Sequence, residues 1–148
     1  FTPLVGRGGL LNVKHGKKEY KIICDYYNAN PQSMNAALEY LSLFDNENKV
    51  AILGDMGGLG KFAHELHMNI VPRIKDSGVK RLFLVGESMK QLRDQFNKDV
   101  KVFCFDDAEL LGAEIDKYIV GGELILIKGS RSIGLERVAT KLGVKNAL

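Results

Sequence analysis

The chain has little cysteine, no long apolar run and no basic block, and each shortage removes a class of function. Cys24 and Cys104 are the only cysteines in 148 residues. Each sits inside an apolar, strand-like run, KIICDYY and KVFCF, which reads as a packed free thiol and not as a disulfide partner or metal ligand. That usage fits a reducing compartment, so a cytoplasmic protein is expected. No stretch approaches the roughly 20 apolar residues that cross a bilayer, so no membrane span is expected. Lysine and arginine are interleaved with aspartate and glutamate, the net charge is only +3, and no nucleic-acid footprint results. Internal repeats and low-complexity segments are missing too. The first residue is Phe1, and the expectation is a piece of a longer protein.

Familiar catalytic motifs are also lacking. Gly54–Lys61 resembles a phosphate loop, but counting back from Gly60 puts Asp55 in the first glycine position, and Phe62 follows Lys61 where Ser or Thr is needed. The same stretch is not G-x-G-x-x-G. His64-Glu65-Leu66-His67 falls short of H-E-x-x-H because position 68 is Met68. His64 and His67 are three apart on an expected helix, which leaves a surface metal site open as an alternative.

What is present is one domain's worth of chain, 45% hydrophobic and 26% charged, enough for a packed core. Short apolar runs alternate with helix-period runs. The pattern predicts a hairpin over Gly9–His15 and Tyr20–Tyr26 with its turn at Gly16-Lys17-Lys18. Further strands are expected at Lys49–Leu53, Arg81–Val85, Lys101–Phe105 and Leu124–Lys128. Helices are expected over Asn30–Phe44, Phe62–Asp76 (on Phe62, Leu66, Ile70 and Ile74), Glu87–Phe96, Asp107–Ile119 and Ser132–Leu142. Strands that are nearly all apolar imply burial on both faces. The fold class is therefore α/β: a Rossmann-like, three-layer, mostly parallel sheet with helices on both faces and an N-terminal antiparallel hairpin at one edge.

In such a sheet ligands bind beyond the carboxyl ends of the strands. The unusual residues gather there: Asp25 to Pro31, Gly54 to Gly60, Gly86-Glu87-Ser88, Asp106-Asp107, and Lys128 to Ser132. Taken singly, Asp, Asn and Ser are helix caps and turn formers. Lys128 and Arg131 are not; a cation at a helix start opposes the dipole unless an anion lies nearby. Tyr26 and Tyr27 either stack on a base or belong to the core. Two readings stand at this point, a nucleotide- or sugar-phosphate-binding module without catalysis and part of an enzyme; a protein-interaction domain is supported only by the generic adaptability of the fold.

Three segments, in order along the chain, carry a family resemblance. Asp25-Tyr26-Tyr27-Asn28-Ala29-Asn30-Pro31-Gln32-Ser33-Met34 resembles D-S/D-Y-N-A-N-P-x-S-M. Leu53-Gly54-Asp55-Met56, with Gly60 and Glu65-Leu66-His67, resembles L-G-D-M followed by E-L-H. Lys128-Gly129-Ser130-Arg131 through Leu135-Glu136 resembles K-G-S-R-x-x-x-L-E, and Gly6-Arg7-Gly8 matches G-R-G. Together they resemble the C-terminal domain of the Mur ligases, and the N-A-N-P string is most like the branch that joins D-alanyl-D-alanine to UDP-N-acetylmuramoyl-tripeptide.

That resemblance implies a three-domain, monomeric, cytoplasmic enzyme of peptidoglycan synthesis. An N-terminal domain holds the UDP-sugar, a central domain carries the phosphate loop and most Mg²⁺ ligands, and this domain closes over ATP and helps hold the dipeptide. The family reaction passes from a carboxylate to an acyl phosphate, which the dipeptide amine attacks to give amide, ADP and phosphate. Carried over by position, the resemblance implies that Arg7, Asp25, Asn28 and Asn30 serve ATP, and that Asp55, Lys128, Ser130 and Arg131 serve the substrate. Glu136 and His67 are supporting groups. Gly57 and Gly58 depart from the family, where an acidic residue is common, and Tyr26 replaces the usual Ser or Asp.

Overall fold

The computed structural model describes residues 6 and 8–147. Six strands form one sheet: β1 (Gly9–His15), β2 (Lys18–Asp25), β3 (Lys49–Gly54), β4 (Arg81–Val85), β5 (Lys101–Phe105) and β6 (Leu124–Lys128), in the order β1-β2-β6-β3-β4-β5. Among the described residues only β1 and β2 pair antiparallel; the other pairings are parallel. The helices are α1 (Pro31–Ser42), α2 (Ala63–Met68), α3 (Val71–Asp76), α4 (Glu87–Lys90), α5 (Ala108–Glu114) and α6 (Glu136–Lys141).

Alternation along the strands splits the core into two. Leu124 and Leu126 of β6, with Ala51 and Leu53 of β3, face Met34, Leu38, Ile74 and Met89 of α1, α3 and α4, and Ile70 just before α3. Ile125 and Ile127, with Val50 and Ile52, face Leu111, Ile115, Val138 and Ala139 around α5 and α6. The geometry follows from crossover handedness. The connections from β2 to β5 progress one way across the sheet, while β5 to β6 runs back, so a right-handed crossover puts α5 on the opposite face. The expected three-layer arrangement with a hairpin edge is the one observed.

Strand bounds match the pattern closely; helices do not. The single helix expected over Phe62–Asp76 is broken between α2 and α3, because Pro72 in the first turn of α3 has no N–H to give to the carbonyl four residues back. The break changes which side chains are buried. Phe62, expected on the apolar face, is exposed and Leu66 is half-buried, while His67 is fully buried. The expected helices over 87–96, 107–119 and 132–142 are each shorter, with 3₁₀ turns at Arg93–Gln95, Ile115–Tyr118 and Arg131–Ile133. Strand β5 is only half-buried, since an edge strand has one neighbour. Accordingly Cys24 is buried and Cys104 half-buried; both thiols are free.

Polar staples close the end of the sheet away from the loops that follow the strands. Fully buried Glu123 pairs with Arg81 at 3.1 Å and accepts the amides of Val120 and Gly121 at 2.7 Å each. Lys49, also buried, donates to the carbonyls of Ser77 at 3.1 Å and Ser42 at 3.5 Å, at the C-terminal ends of α3 and α1 where a cation suits the dipole. Tyr20 of β2 donates its hydroxyl to the Leu142 carbonyl behind α6.

Burial, reinforced by the charges of Asp116 and Glu123, pushes the Tyr20 phenol up to about 12 from its ordinary 10.0. The folded state thus holds the proton more tightly than the unfolded chain. Stability from this group is fully present below pH 10 and is lost as pH rises from 10 towards 12. Tyr20→Phe is expected to cost about 1 kcal/mol at neutral pH through the lost hydrogen bond. It should also make the alkaline loss of stability shallower, as read from urea unfolding across pH 8–12.

Candidate functional site

The carboxyl ends of β2, β6 and β3 lie side by side, and register puts Asp25 beside Lys128 and Lys128 beside Leu53. Lys128 continues the alternation of β6 into the loops, yet its side chain is only 1% exposed. A charge so dry needs partners. Its Nζ donates to Asp25 Oδ2 at 2.8 Å and to the Asn28 carbonyl at 3.0 Å. Asp25 remains 24% exposed, so the pair has one dry end and one wet end.

The turn that brings Asn28 over is built by its own side chains. Asn28 Oδ1 accepts the Ala29 amide at 2.9 Å. Asn30 caps α1: its side chain accepts the Ser33 amide at 2.8 Å, and its own amide donates to Ser33 Oγ at 3.1 Å. This is the reciprocal box that tightens a helix start, completed by Pro31 in the first turn. Tyr26 joins the core, its ring buried, whereas Tyr27 is exposed. The Arg131 guanidinium lies over the Tyr27 ring at 5.0 Å, and its Nη1 is 3.3 Å from the Tyr27 hydroxyl. That stack ties the turn after β6 to the turn after β2.

Ser130 is buried; its amide donates to the Asp55 carbonyl at 2.9 Å and its Oγ lies 3.0 Å from Ser132 Oγ. The floor between these turns is backbone on backbone. A Cβ added to Gly129 would come within 2.9 Å of Gly54 Cα, so glycine permits the approach of the β6 and β3 ends.

Asp55 follows β3, and its carboxylate is engaged within the protein. It accepts the Ser88 amide at 3.2 Å and the Met89 amide at 2.7 Å at the start of α4. His67 is linked to the same loop, its Nε2 accepting the Met56 amide at 3.0 Å. Its other ring nitrogen faces the Ala63 carbonyl. Buried and occupied on both nitrogens, His67 cannot share a metal with exposed His64, which pairs with Gln91. Among the described residues no group of three or more His, Cys, Asp or Glu side chains is placed to hold a metal.

The structure thus brings Asp25, Asn28, Lys128, Ser130 and Arg131 to one rim, with Asp55 beneath Ser130 and Asn30 turned to its helix. Glu136 is half-buried in the first turn of α6. Arg7 lies outside the described residues. Sequence reasoning missed the contacts of Asp55 with α4 and of His67 with Met56; glycine at position 86, directly after a strand, was the one available signal. Cys24 offers no nucleophile here, because burial pushes its thiol up to about 12.

Comparison with known proteins adds independent findings. Residues 11–131 match the family described as Mur ligase, glutamate ligase domain. The chain is 41% identical over 133 residues to UDP-N-acetylmuramoyl-tripeptide--D-alanyl-D-alanine ligase of Rickettsia prowazekii, covering 90% of this chain and 29% of that protein. It is 35% identical over 119 residues to the Treponema pallidum protein of the same name, covering 78% and 26%. The chain therefore spans less than a third of the length of these relatives. Among solved structures, it superposes on MurF ligase from Thermotoga maritima in complex with ADP with a TM-score of 0.74 at 24% identity, covering 96% of this chain and 31% of that one. For MurF from Acinetobacter baumannii the TM-score is 0.69 at 26% identity, covering 94% and 30%.

Removing one partner of the Lys128–Asp25 pair should strand the other. Asp25→Ala is expected to destabilise the fold by about 2 kcal/mol, in the range for a hydrogen bond to a charged group. Asp25→Ala combined with Lys128→Met should lie closer to wild type than the single variant, since no buried charge is left unpaired. Urea unfolding of the three proteins measures both effects.

Proposed function

The chain belongs to the Mur ligase family, and from that premise we propose that it is the C-terminal domain of the ATP-dependent ligase joining D-alanyl-D-alanine to UDP-N-acetylmuramoyl-tripeptide in cytoplasmic peptidoglycan precursor synthesis. The parent enzyme acts as a monomer, with its UDP-sugar and central ATPase domains outside this chain. One observation carries the reading: Asp25 and Asn28 of one family string meet Ser130 and Arg131 of another on a single rim around the dry Lys128. Two relatives named for this reaction, at 41% and 35% identity, support it, and the ADP complex of the Thermotoga maritima protein supports nucleotide use.

On this reading, the site works by charge and position. Lys128 and exposed Arg131 supply positive charge where an anionic substrate group, the carboxylate of the dipeptide, would lie, with Ser130 beside them. Two of the ammonium protons of Lys128 go to Asp25 and Asn28, and among the described residues no third acceptor takes the last. The wet edge of Asp25 is free to accept from ribose hydroxyls of ATP, with Asn28 exposed next to it; Arg7 would add a cation towards the phosphates. Asn30 contributes by setting the turn. Mg²⁺ would be held by the central domain. Fixing both substrates and excluding water on domain closure is what such a displacement at an acyl phosphate requires.

The test uses the full-length protein. Lys128→Ala should weaken D-alanyl-D-alanine binding, and Asp25→Ala should weaken ATP binding, each by about 1.5–3 kcal/mol, the usual loss for a charge-assisted contact. Isothermal calorimetry separates the two ligands. Wild-type affinity for both ligands in both variants would remove the site from the mechanism, and tight nucleotide binding with no dipeptide binding would favour the non-catalytic alternative.

A further inference from the structure

We propose that Asp55 and His67 are positioning residues, a bracket that holds the Ser130 turn in place without either side chain touching substrate. The proposal rests on the reading that this turn binds the dipeptide.

One peptide plane, that between Asp55 and Met56, joins His67 to the Ser130 turn. Its carbonyl accepts from Ser130 N at 2.9 Å, and its N–H donates to His67 Nε2 at 3.0 Å. A trans peptide is rigid, with its C=O and N–H pointing opposite ways. Rotating the plane away from His67 therefore also withdraws the acceptor from Ser130. A backbone N–H can only donate, so Nε2 must present a lone pair, and the ring proton sits on Nδ1, facing the Ala63 carbonyl at 2.6 Å. His67 is 0% exposed, so water is poorly placed to replace it as the acceptor.

The Asp55 side chain braces the same residue from the other side. Its two oxygens take the amides of Ser88 and Met89, and its own amide donates to the Val85 carbonyl at 3.2 Å. The seat exists because position 86 is glycine: a Cβ there would lie 2.6 Å from the Asp55 carboxyl carbon, and the backbone has φ +106°. Asp55 thereby joins the ends of β3, β4 and β6, and its carboxylate is spent on α4 and not aimed at the rim.

Three variants of the full-length protein test this. His67→Phe keeps the bulk but removes the acceptor, His67→Gln restores one, and Gly86→Ala pushes the Asp55 carboxylate out of its seat. Amide hydrogen exchange at Met56 and Ser130 is read alongside steady-state kinetics. In His67→Phe and Gly86→Ala we expect Ser130 to exchange about tenfold faster and the KM for D-alanyl-D-alanine to rise about tenfold, with kcat within about threefold. His67→Gln should recover most of both. Wild-type exchange at Ser130 in folded His67→Phe, or a Gln variant no better than Phe, overturns the bracket. If His67→Phe does not fold, Gly86→Ala carries the same two readouts, and wild-type values there overturn it as well. Should the wild-type protein fail to use D-alanyl-D-alanine, the functional reading falls, while the exchange measurements still decide the bracket.

Discussion

A lysine ammonium that is 1% exposed at the end of a central strand has to be neutralised from nearby, and the rim is built around that demand. The hairpin places β2 against β6 so that Asp25 arrives in register with Lys128. The turn after β2 then bends until the Asn28 carbonyl reaches the same nitrogen. The box between Asn30 and Ser33 keeps that bend by starting α1 at a defined residue. Sheet order, turn shape and helix start are thus linked through one charge, and the groups of the rim are held in place by the fold itself.

The polar groups divide into two kinds. Asp55, His67 and Ser130 lie inward, with hydrogen bonds to backbone that fix loops to one another. Asn28, Tyr27 and Arg131 lie outward, exposed, with Arg131 stacked on the Tyr27 ring. The inward set sets distances between strand ends; the outward set is the part of the rim that faces solvent. Residues of one family string fall into both sets, so membership of a motif does not by itself tell contact from support.

How far the sequence could be read depended on how local the physics is. Strand bounds were legible because short, nearly all-apolar runs are a local signal, and β4, β5 and β6 fall where those runs place them. The direction of the strand ends, and with it the placing of Asp25 and Lys128 at one end of the sheet, followed from the β-α alternation that makes the sheet parallel. Helix lengths were less legible, although Pro72 marked the break between α2 and α3 plainly. The burial of His67 in place of Leu66 came from that break. The seat of Asp55 depends on amides 33 and 34 residues away, and Gly86 directly after β4 was its only local sign. The half-burial of β5 needed the sheet order, which puts that strand at the edge.

The contact between Gly54 and Gly129 has a consequence for how this rim can change over generations. Main-chain atoms meet there with no room for a methyl group, so the two strand ends offer selection no side chain to exchange. Room for a side chain begins only in the surrounding turns: at Gly57 an added Cβ would touch Ser130 at 3.4 Å, and at Gly58 it would meet nothing within 4 Å. A protein so arranged can exchange the side chains around its rim while the spacing between its strand ends stays constant.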